Sequence, residues 1–421
     1  GFLLELGPHT LPGSADGVFA LAEELGLGPE VMSTRASSGA RFIVRNDRLC
    51  RTPTSIWSFL TTRLLSLSAK LILMTEPLRW RRGEDTDSAQ IFFERRFGAE
   101  AAHVLAGAFI SGVYAGDPAQ LSAPAAFPLF WEFEKSSGSL MLGARKYFRR
   151  RKAERRETGM PVRKGLFSFK GGLGRLARAL AEALGPAYQG GQDVQRVEWD
   201  QSLWRVHSNG ATHTARALVL AVPPHKAAQL LEASAPELST LLGEIPMAPL
   251  AVVHLGYHEH LPEIPDGFGF LVPRGEKTQS LGVLFPSRLF DDRAPGEGDL
   301  LAGFVGGVGD PDCLERSDEE LADIVREDLQ RLIGLDAEPD MVRVRRYRQA
   351  IPQLTLGHLD RMAAVEQELD RYSGLFLAGN YRTGVGLKDA VGSGFVAARE
   401  CLQHRETPAA PKVTPVSEQS A

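Results

Sequence analysis

Cysteine is scarce in this chain of 421 residues: Cys50, Cys313 and Cys401 lie far apart with no C-x-x-C spacing. That excludes a disulfide framework and a cysteine-based zinc site, and lone thiols fit a reducing, cytoplasmic compartment. The ten histidines suggest no metal site either, and His358 in LGHLD reads as structural. Long apolar runs are also missing. The most apolar stretch, Ile56 to Met74, is broken by Arg63 and Lys70, short of the roughly eighteen uncharged residues a spanning helix needs. There is no excess of positive charge, the net charge being -4, so nucleic acid is not an expected partner. The opening GFLLELGPHT has no Met, no basic n-region and no apolar h-region, and it reads as the middle of a fold.

What is present is a globular composition, 43% hydrophobic and 24% charged, long enough for two or three domains. A strand-like run at Phe2–Leu6 precedes a helical pattern from Ser14 to Leu25 that Gly26 stops. Arg41–Val44, the turn Asn46-Asp47 and a resumption at Leu49 read as a hairpin. Ser55 to about Glu157 is helical, with Pro161 and Gly165 as a boundary. FSFKGGLGRLARALAEAL then reads as strand, glycine turn and helix, followed by strands at 192–199, 204–208 and 217–221. Between Pro224 and Ile351, β-rich runs such as VVHLGYH, GFGFLVP and MVRVRRY and a helix over 318–332 suggest an α+β unit. The chain ends on strand, glycine loop and helix over 374–401 and a Pro/Ser/Thr tail expected to be disordered.

The strongest chemical signal is LFLAGNYRTGVGLKDAVGSGFVAA, Leu375–Ala398, an apolar strand running into Gly379-Asn380, then Gly384, Gly386 and a helix with Asp389 in its first turn. Glycines let a flat ring or phosphate approach the main chain, and amides at a helix start favour an anion or carbonyl oxygen. By itself this is a weak motif. Its G-N-x-x-x-G-V-G-L-x-D form, however, is similar to that of the oxygen-dependent protoporphyrinogen oxidase family, within the amine-oxidase-like flavoproteins. GFLLELGPHT, SGVYAGDPAQLS (Ser111–Ser122), GFGFLVP with SLGVLF, and AIPQLTLGHLDR (Ala350–Arg361) resemble segments of that family in the same order, so that the match covers residues 1–402.

The resemblance implies an α/β FAD-binding fold of the amine-oxidase (p-hydroxybenzoate-hydroxylase-like) class, N-terminally truncated, with an α+β substrate domain and an inserted helical domain. In those terms residues 1–40, 161–223 and 361–404 form the FAD-binding domain, 41–54 and 224–360 the substrate domain, 55–160 a helical membrane-associating domain, and 405–421 the tail. It places Gly7, Pro8, His9, Thr10, Val194, Tyr347, Val385, Gly386, Leu387, Lys388, Asp389 and Ala390 on FAD. Leu271, Leu284 and Phe304 match a tetrapyrrole slot faced by the Gly112 carbonyl, although each apolar residue taken singly is ordinary core. Where many relatives carry Arg for a substrate propionate, Cys50 is read here, which passes that part to Arg51. The βαβ unit with G-x-G-x-x-G that opens family members is not found in this sequence. Two explanations stand: a piece of a longer protein, or a weak hold on FAD.

The implied reaction is oxidation of protoporphyrinogen IX by dioxygen, with no general base evident in the sequence. Coproporphyrinogen III is the alternative substrate, kept open by Arg48 and Arg51. Another flavin oxidoreductase, or a non-catalytic tetrapyrrole-binding remnant, are the further readings. Expected partners are the porphyrinogen, dioxygen, a second copy in a homodimer, ferrochelatase as acceptor of product, and the inner face of the cell membrane. For that surface the run Arg145–Arg156, eight Lys/Arg against Glu154 alone, offers a basic helix, although charge runs are commonly just solvated.

Overall fold

The structure is a computed structural model that describes residues 1–79, 81–159 and 161–406, with side chains up to residue 404. Its largest sheet has seven strands, in the order Met341–Pro352, Met247–Tyr257, Asp299–Gly306, Gly282–Leu284, Gly269–Leu271, Phe42–Val44 and Leu49–Arg51. All neighbours are antiparallel except Gly269–Leu271 with Phe42–Val44. The edge hairpin follows from its turn. Asn46 and Asp47 both adopt positive φ, 52° and 57°, the left-handed pair that a tight two-residue hairpin requires and that Asn and Asp tolerate.

Directly opposed residues share a face, so the registers sort this sheet into two sides. One side carries Val44, Ala251, Val253, Phe270, Val283 and Leu301, which with the helix Asp318–Ile333 make the largest core. That helix is fixed at both ends: Ser317 and Glu320 form a reciprocal capping box, and Gly334 closes it at φ 73°. The opposite side bears Ile43, Leu271, Leu284, Phe304, His254 and Tyr347, and it faces the helical part of the chain.

The helical part begins at Ile56–Thr61 and ends in the nineteen-residue helix Leu140–Thr158. Between Ala102 and Tyr114 two π-helical segments, Ala102–Gly107 and Ile110–Tyr114, were not foreseen from the sequence. A buried ionic network pins this region: Arg96 Nε meets Glu134 at 2.5 Å, and Glu76 accepts from Ser139 Oγ and from the Leu140 and Met141 amides.

Smaller sheets complete the chain: Leu11–Pro12, Leu166–Phe169 and Val31–Ser33; Val194–Trp199, Trp204–Ser208 and Ala211–Ala215; and the parallel pair Leu218–Leu220 with Leu375–Leu377. Ala211–Ala215 was missed because ATHTA has no apolar side, although Asn209-Gly210 before it, with Gly210 at φ 78°, is a hairpin signal. The strand expected at Phe2–Leu6 does not form. Among the described residues no strand pairs with it, and the segment is instead held by a bond from the Leu3 amide to the Arg293 carbonyl at 3.0 Å and by Glu5, whose carboxylate accepts from the Leu173 amide at 2.7 Å. The final helix, Leu387–Glu406, reaches the start of the expected tail, and residues 407–421 lie outside the described residues.

Candidate functional site

Period-two alternation builds the site's floor. Leu271 opposes Gly282, Gly282 opposes Phe304, and Leu284 opposes Ala302, so that Leu271, Leu284 and Phe304 stand on one face. All three are only half-buried, unlike Phe270 and Val283 on the other side. Gly112, in the second π-helical segment, covers this face: a Cβ built on it would lie 2.3 Å from Leu271 Cδ2. Any side chain there would displace Leu271. The slot residues and Gly112 are thus brought together.

A second group meets at the same face. Tyr347, half-buried, donates from its hydroxyl to the Leu6 carbonyl at 2.5 Å, tying the sheet to the loop of Gly7, Pro8, His9 and Thr10. His9 is buried, with its ring 5.9 Å from that of Phe304, edge-on, and 6.2 Å from that of His254. Neither of its nitrogens has a hydrogen-bond partner. Burial pushes the His9 imidazole down to about 3, with His254 and Arg293 adding to the effect, and burial likewise brings His254 down to about 4, opposed by its bond to the Glu5 backbone. Both rings are therefore neutral near pH 7.

The glycine loop after Leu375–Leu377 is organised from within. The Asp389 carboxylate accepts from the Gly386 amide at 3.1 Å, Asn380 Nδ2 donates to the Val385 carbonyl at 3.3 Å, and Ser393 Oγ accepts from the Gly379 amide at 2.8 Å. Val385 packs toward the helical cluster of Tyr114 and Phe127, and Leu387 toward that of Phe19 and Leu176. Lys388 is exposed and Ala390 half-buried at the start of the helix. Val194 stands apart, 38% exposed at the outer end of a different sheet.

Arg51 is the site expectation the register corrects. It opposes Phe42, which packs into the core on the far side of the sheet, whereas Cys50 opposes Ile43 on the slot side. One position along a strand reverses the face. Arg41, two residues before Ile43, continues the slot-side alternation, its carbonyl accepting from the Thr52 amide at 2.8 Å. Its side chain is exposed, 5.7 Å from the Phe268 ring centre, and has no carboxylate partner among the described residues. Sequence reasoning passed over Arg41, although counting back in twos from Ile43 would have reached it.

The residues suit the ring end of a flavin. A Cβ at Gly7 would meet nothing within 4 Å, leaving the backbone open to close approach, and the orphaned His9 nitrogens match the polar edge of a flat heterocycle. The Gly171-Gly172-Leu173-Gly174 turn offers no phosphate cradle of its own, because Glu5 already occupies the Leu173 amide.

Comparison with known proteins gives the same assignment. The family described as flavin containing amine oxidoreductase matches residues 1–402. Protoporphyrinogen oxidase 2 of Arabidopsis thaliana is 30% identical, over 97% of this chain and 86% of its own length. Coproporphyrinogen III oxidase of Bacillus subtilis is 28% identical, over 96% and 87%. A crystal structure of a protein from Exiguobacterium sp. 255-15 superposes with a TM-score of 0.77 at 25% identity, covering 96% of this chain and 88% of the other. Putrescine oxidase, 18% identical with a TM-score of 0.67, shares the fold. The chain belongs to the flavin-containing amine oxidoreductase family, and its cofactor is FAD.

Proposed function

We propose that the protein oxidises protoporphyrinogen IX to protoporphyrin IX with dioxygen as the final acceptor. The observation that carries the reading is the half-buried apolar face of Leu271, Leu284 and Phe304 under Gly112, which suits a planar macrocycle better than a small amine. When bound, the flavin supplies the two-electron oxidation that no side chain can perform. The loop Gly7–Thr10, Tyr347 and the segment Val385–Ala390 hold the ring, Val194 approaches the adenine side, and the Gly112 carbonyl faces the pyrrole N–H groups. Arg41 takes over the part first given to Arg51, holding a propionate at the rim of the slot. An ion pair at that exposed rim fixes orientation more than it adds affinity.

Coproporphyrinogen III is the second reading, supported by the Bacillus subtilis relative and by the exposed Arg41 and Arg48 of the edge hairpin. Supplying FAD and each porphyrinogen in turn and following porphyrin fluorescence with oxygen uptake tests both. Porphyrin should form faster than in the enzyme-free control, and from protoporphyrinogen first. Turnover of an amine with neither porphyrinogen oxidised would overturn the proposal.

Membrane-surface attachment on the cytoplasmic side belongs to the same reading. It is supported by Ile56, Trp57, Leu67 and Leu78, each more than 70% exposed in one stretch, and by the basic helix that closes the helical part.

A further inference from the structure

The π-helical segments that roof the slot meet different surroundings on their two faces. Ala101, Val104, Leu105 and Ala108 pack toward Ile43 and Leu271 on the slot side of the sheet. His103, Ala106, Gly107 and Ile110, turned the other way, line a cavity of about 200 Å³ against the helix Ala89–Phe97. π-Helical turns are themselves rare and collect at functional sites. Past Gly112 the roof ends at Ala115, whose φ of 47° is left-handed, an uncommon backbone for a residue with a Cβ. Three ties hold this end. Gln353 Nε2 donates to the Tyr114 carbonyl at 2.8 Å, the Val308 amide donates to the Ala115 carbonyl at 2.9 Å, and Arg274 Nη1 meets Asp117 Oδ2 at 3.0 Å. Gln353, Tyr114 and Ala115 are buried. The third tie is ionic and open to water, Arg274 being 40% and Asp117 22% exposed. It is also the tie on the Leu271 side, because Arg274 follows the strand Gly269–Leu271, and both of its partners stand at the edge of the cavity.

We propose that Asp117 and Arg274 are positioning residues that latch the roof of the slot onto its floor, and that the cavity behind the roof is where it withdraws as a flat ligand enters or leaves. The ligand rests on the tetrapyrrole reading above, whereas the latch is a property of the free chain. Roof and floor are in contact at Gly112 and Leu271, so admitting a planar macrocycle requires them to part. Of the three ties, the ion pair is the one that yields. Opening a half-exposed pair costs little, because water takes over both charges. Opening the bonds at Tyr114 and Ala115 would strand buried polar groups. Latch and cavity therefore act on the passage of the ligand in both directions, while the free and bound states keep the same closed roof and the affinity stays almost unchanged.

Stopped-flow fluorescence of protoporphyrin IX with the full chain reads both rates without turnover. Asp117→Asn keeps an oxygen for the Ala119 amide, which lies 2.9 Å from Asp117 Oδ1. It should raise association and dissociation rates together by about three-fold, the scale of a half-exposed ion pair, with Kd moving by less than about two-fold. Arg274→Gln should do the same, and the double variant should do no more than either, because a single interaction is lost. High salt should speed the parent and not the variants. Ala106→Leu, which fills the cavity, should slow both rates. With no porphyrin present, amide exchange across residues 102–114 should be faster in Asp117→Asn than in the parent. Parent-like rates in Asp117→Asn and Arg274→Gln, or a change in Kd through one rate alone, overturn the latch, and so does unchanged amide exchange. An Ala106→Leu variant as fast as the parent removes the cavity from the motion. Failure of the parent to bind porphyrin overturns the tetrapyrrole reading, and amide exchange then decides the latch by itself.

Discussion

At the scale of single residues, His9, His254 and His358 carry a testable consequence of burial. Each imidazole is lowered from the ordinary value of 6.5, to about 3, about 4 and about 4, with burial as the largest cause. A lowered histidine leaves the unfolded chain holding more protons than the folded one between those values, so stability rises with pH through that window. It is complete above about 6.5 and is lost as the pH falls toward 4. Each group contributes up to about 1.4 kcal/mol per pH unit. Glu5, whose backbone bonds His254, acts in the opposite direction, because burial raises its carboxyl, but it is one group against three. Urea unfolding should show a clear loss of stability from pH 7 to pH 5, shallower in His9→Leu. A flat profile would mean the imidazoles find partners in solution. A second residue prediction separates folding from binding. Since a Cβ at Gly7 meets nothing within 4 Å, Gly7→Val should melt within about 2 °C of the parent, as surface changes do. Its FAD affinity, measured by flavin fluorescence, should drop at least ten-fold if the loop lies against the ring. Equal affinity would move the loop off the cofactor. The residue scale is also where sequence reading was most exposed to error: Arg51 and Cys50 are adjacent letters on opposite faces of a sheet, and only the pairing of Cys50 with Ile43 decides between them.

At the scale of elements, local signals succeeded where local physics governs. Asn46-Asp47 makes its hairpin, Gly26 stops Asp16–Glu24, and the periodic pattern over 318–332 becomes the helix Asp318–Ile333. The expectation at Phe2–Leu6 failed because a strand needs a neighbour and the apolar pattern cannot say whether one is there. Nor could the sequence announce the π-helical segments, whose i to i+5 bonds leave no spacing signature. The glycine loop was legible as a motif, but its internal bracing by Asp389 and Ser393 was not. The Leu140–Thr158 helix depends on a contact distant in sequence. Glu76, fully buried, caps its start through the Leu140 and Met141 amides and lies 3.6 Å from Arg96, also fully buried. Removing one member of a buried ionic set strands the others, at a cost of about 3 kcal/mol or more. Glu76→Gln should therefore lower the denaturation midpoint markedly. Glu154→Gln, which breaks only the exposed pair with Arg150, should leave it in place. Similar midpoints for the two variants would show that the network relaxes around the change.

At the scale of the whole molecule, the proposed attachment to a lipid surface is open to test, because the basic helix contains its own internal control. Of its eight cations, Arg151 and Arg155 turn inward to Asp16 at 2.6 and 2.8 Å, joining this helix to Asp16–Glu24, and Arg150 is held by Glu154. The remaining five, Arg145, Lys146, Arg149, Lys152 and Arg156, are exposed with no ion pair among the described residues. A spacing of four, three and four puts Arg145, Arg149, Lys152 and Arg156 on one helical stripe, with the exposed Phe148 beside it. A stripe of this kind gains about 1 kcal/mol per cation near an anionic lipid surface, a contribution that salt screens. The apolar group around Trp57 adds a contribution that salt does not screen. Co-sedimentation with vesicles should therefore show salt-sensitive binding to phosphatidylglycerol-rich bilayers. Reversing the stripe (Arg145→Glu, Arg149→Glu, Lys152→Glu, Arg156→Glu) should remove the salt-sensitive part. Trp57→Glu with Ile56→Glu should remove what survives in high salt. Reversal of Arg151 and Arg155 should instead loosen the tie to Asp16 and show as a loss of thermal stability. If the reversed stripe binds anionic vesicles as the parent does, the helix is only a solvated charge run, and the attachment rests on the apolar residues alone.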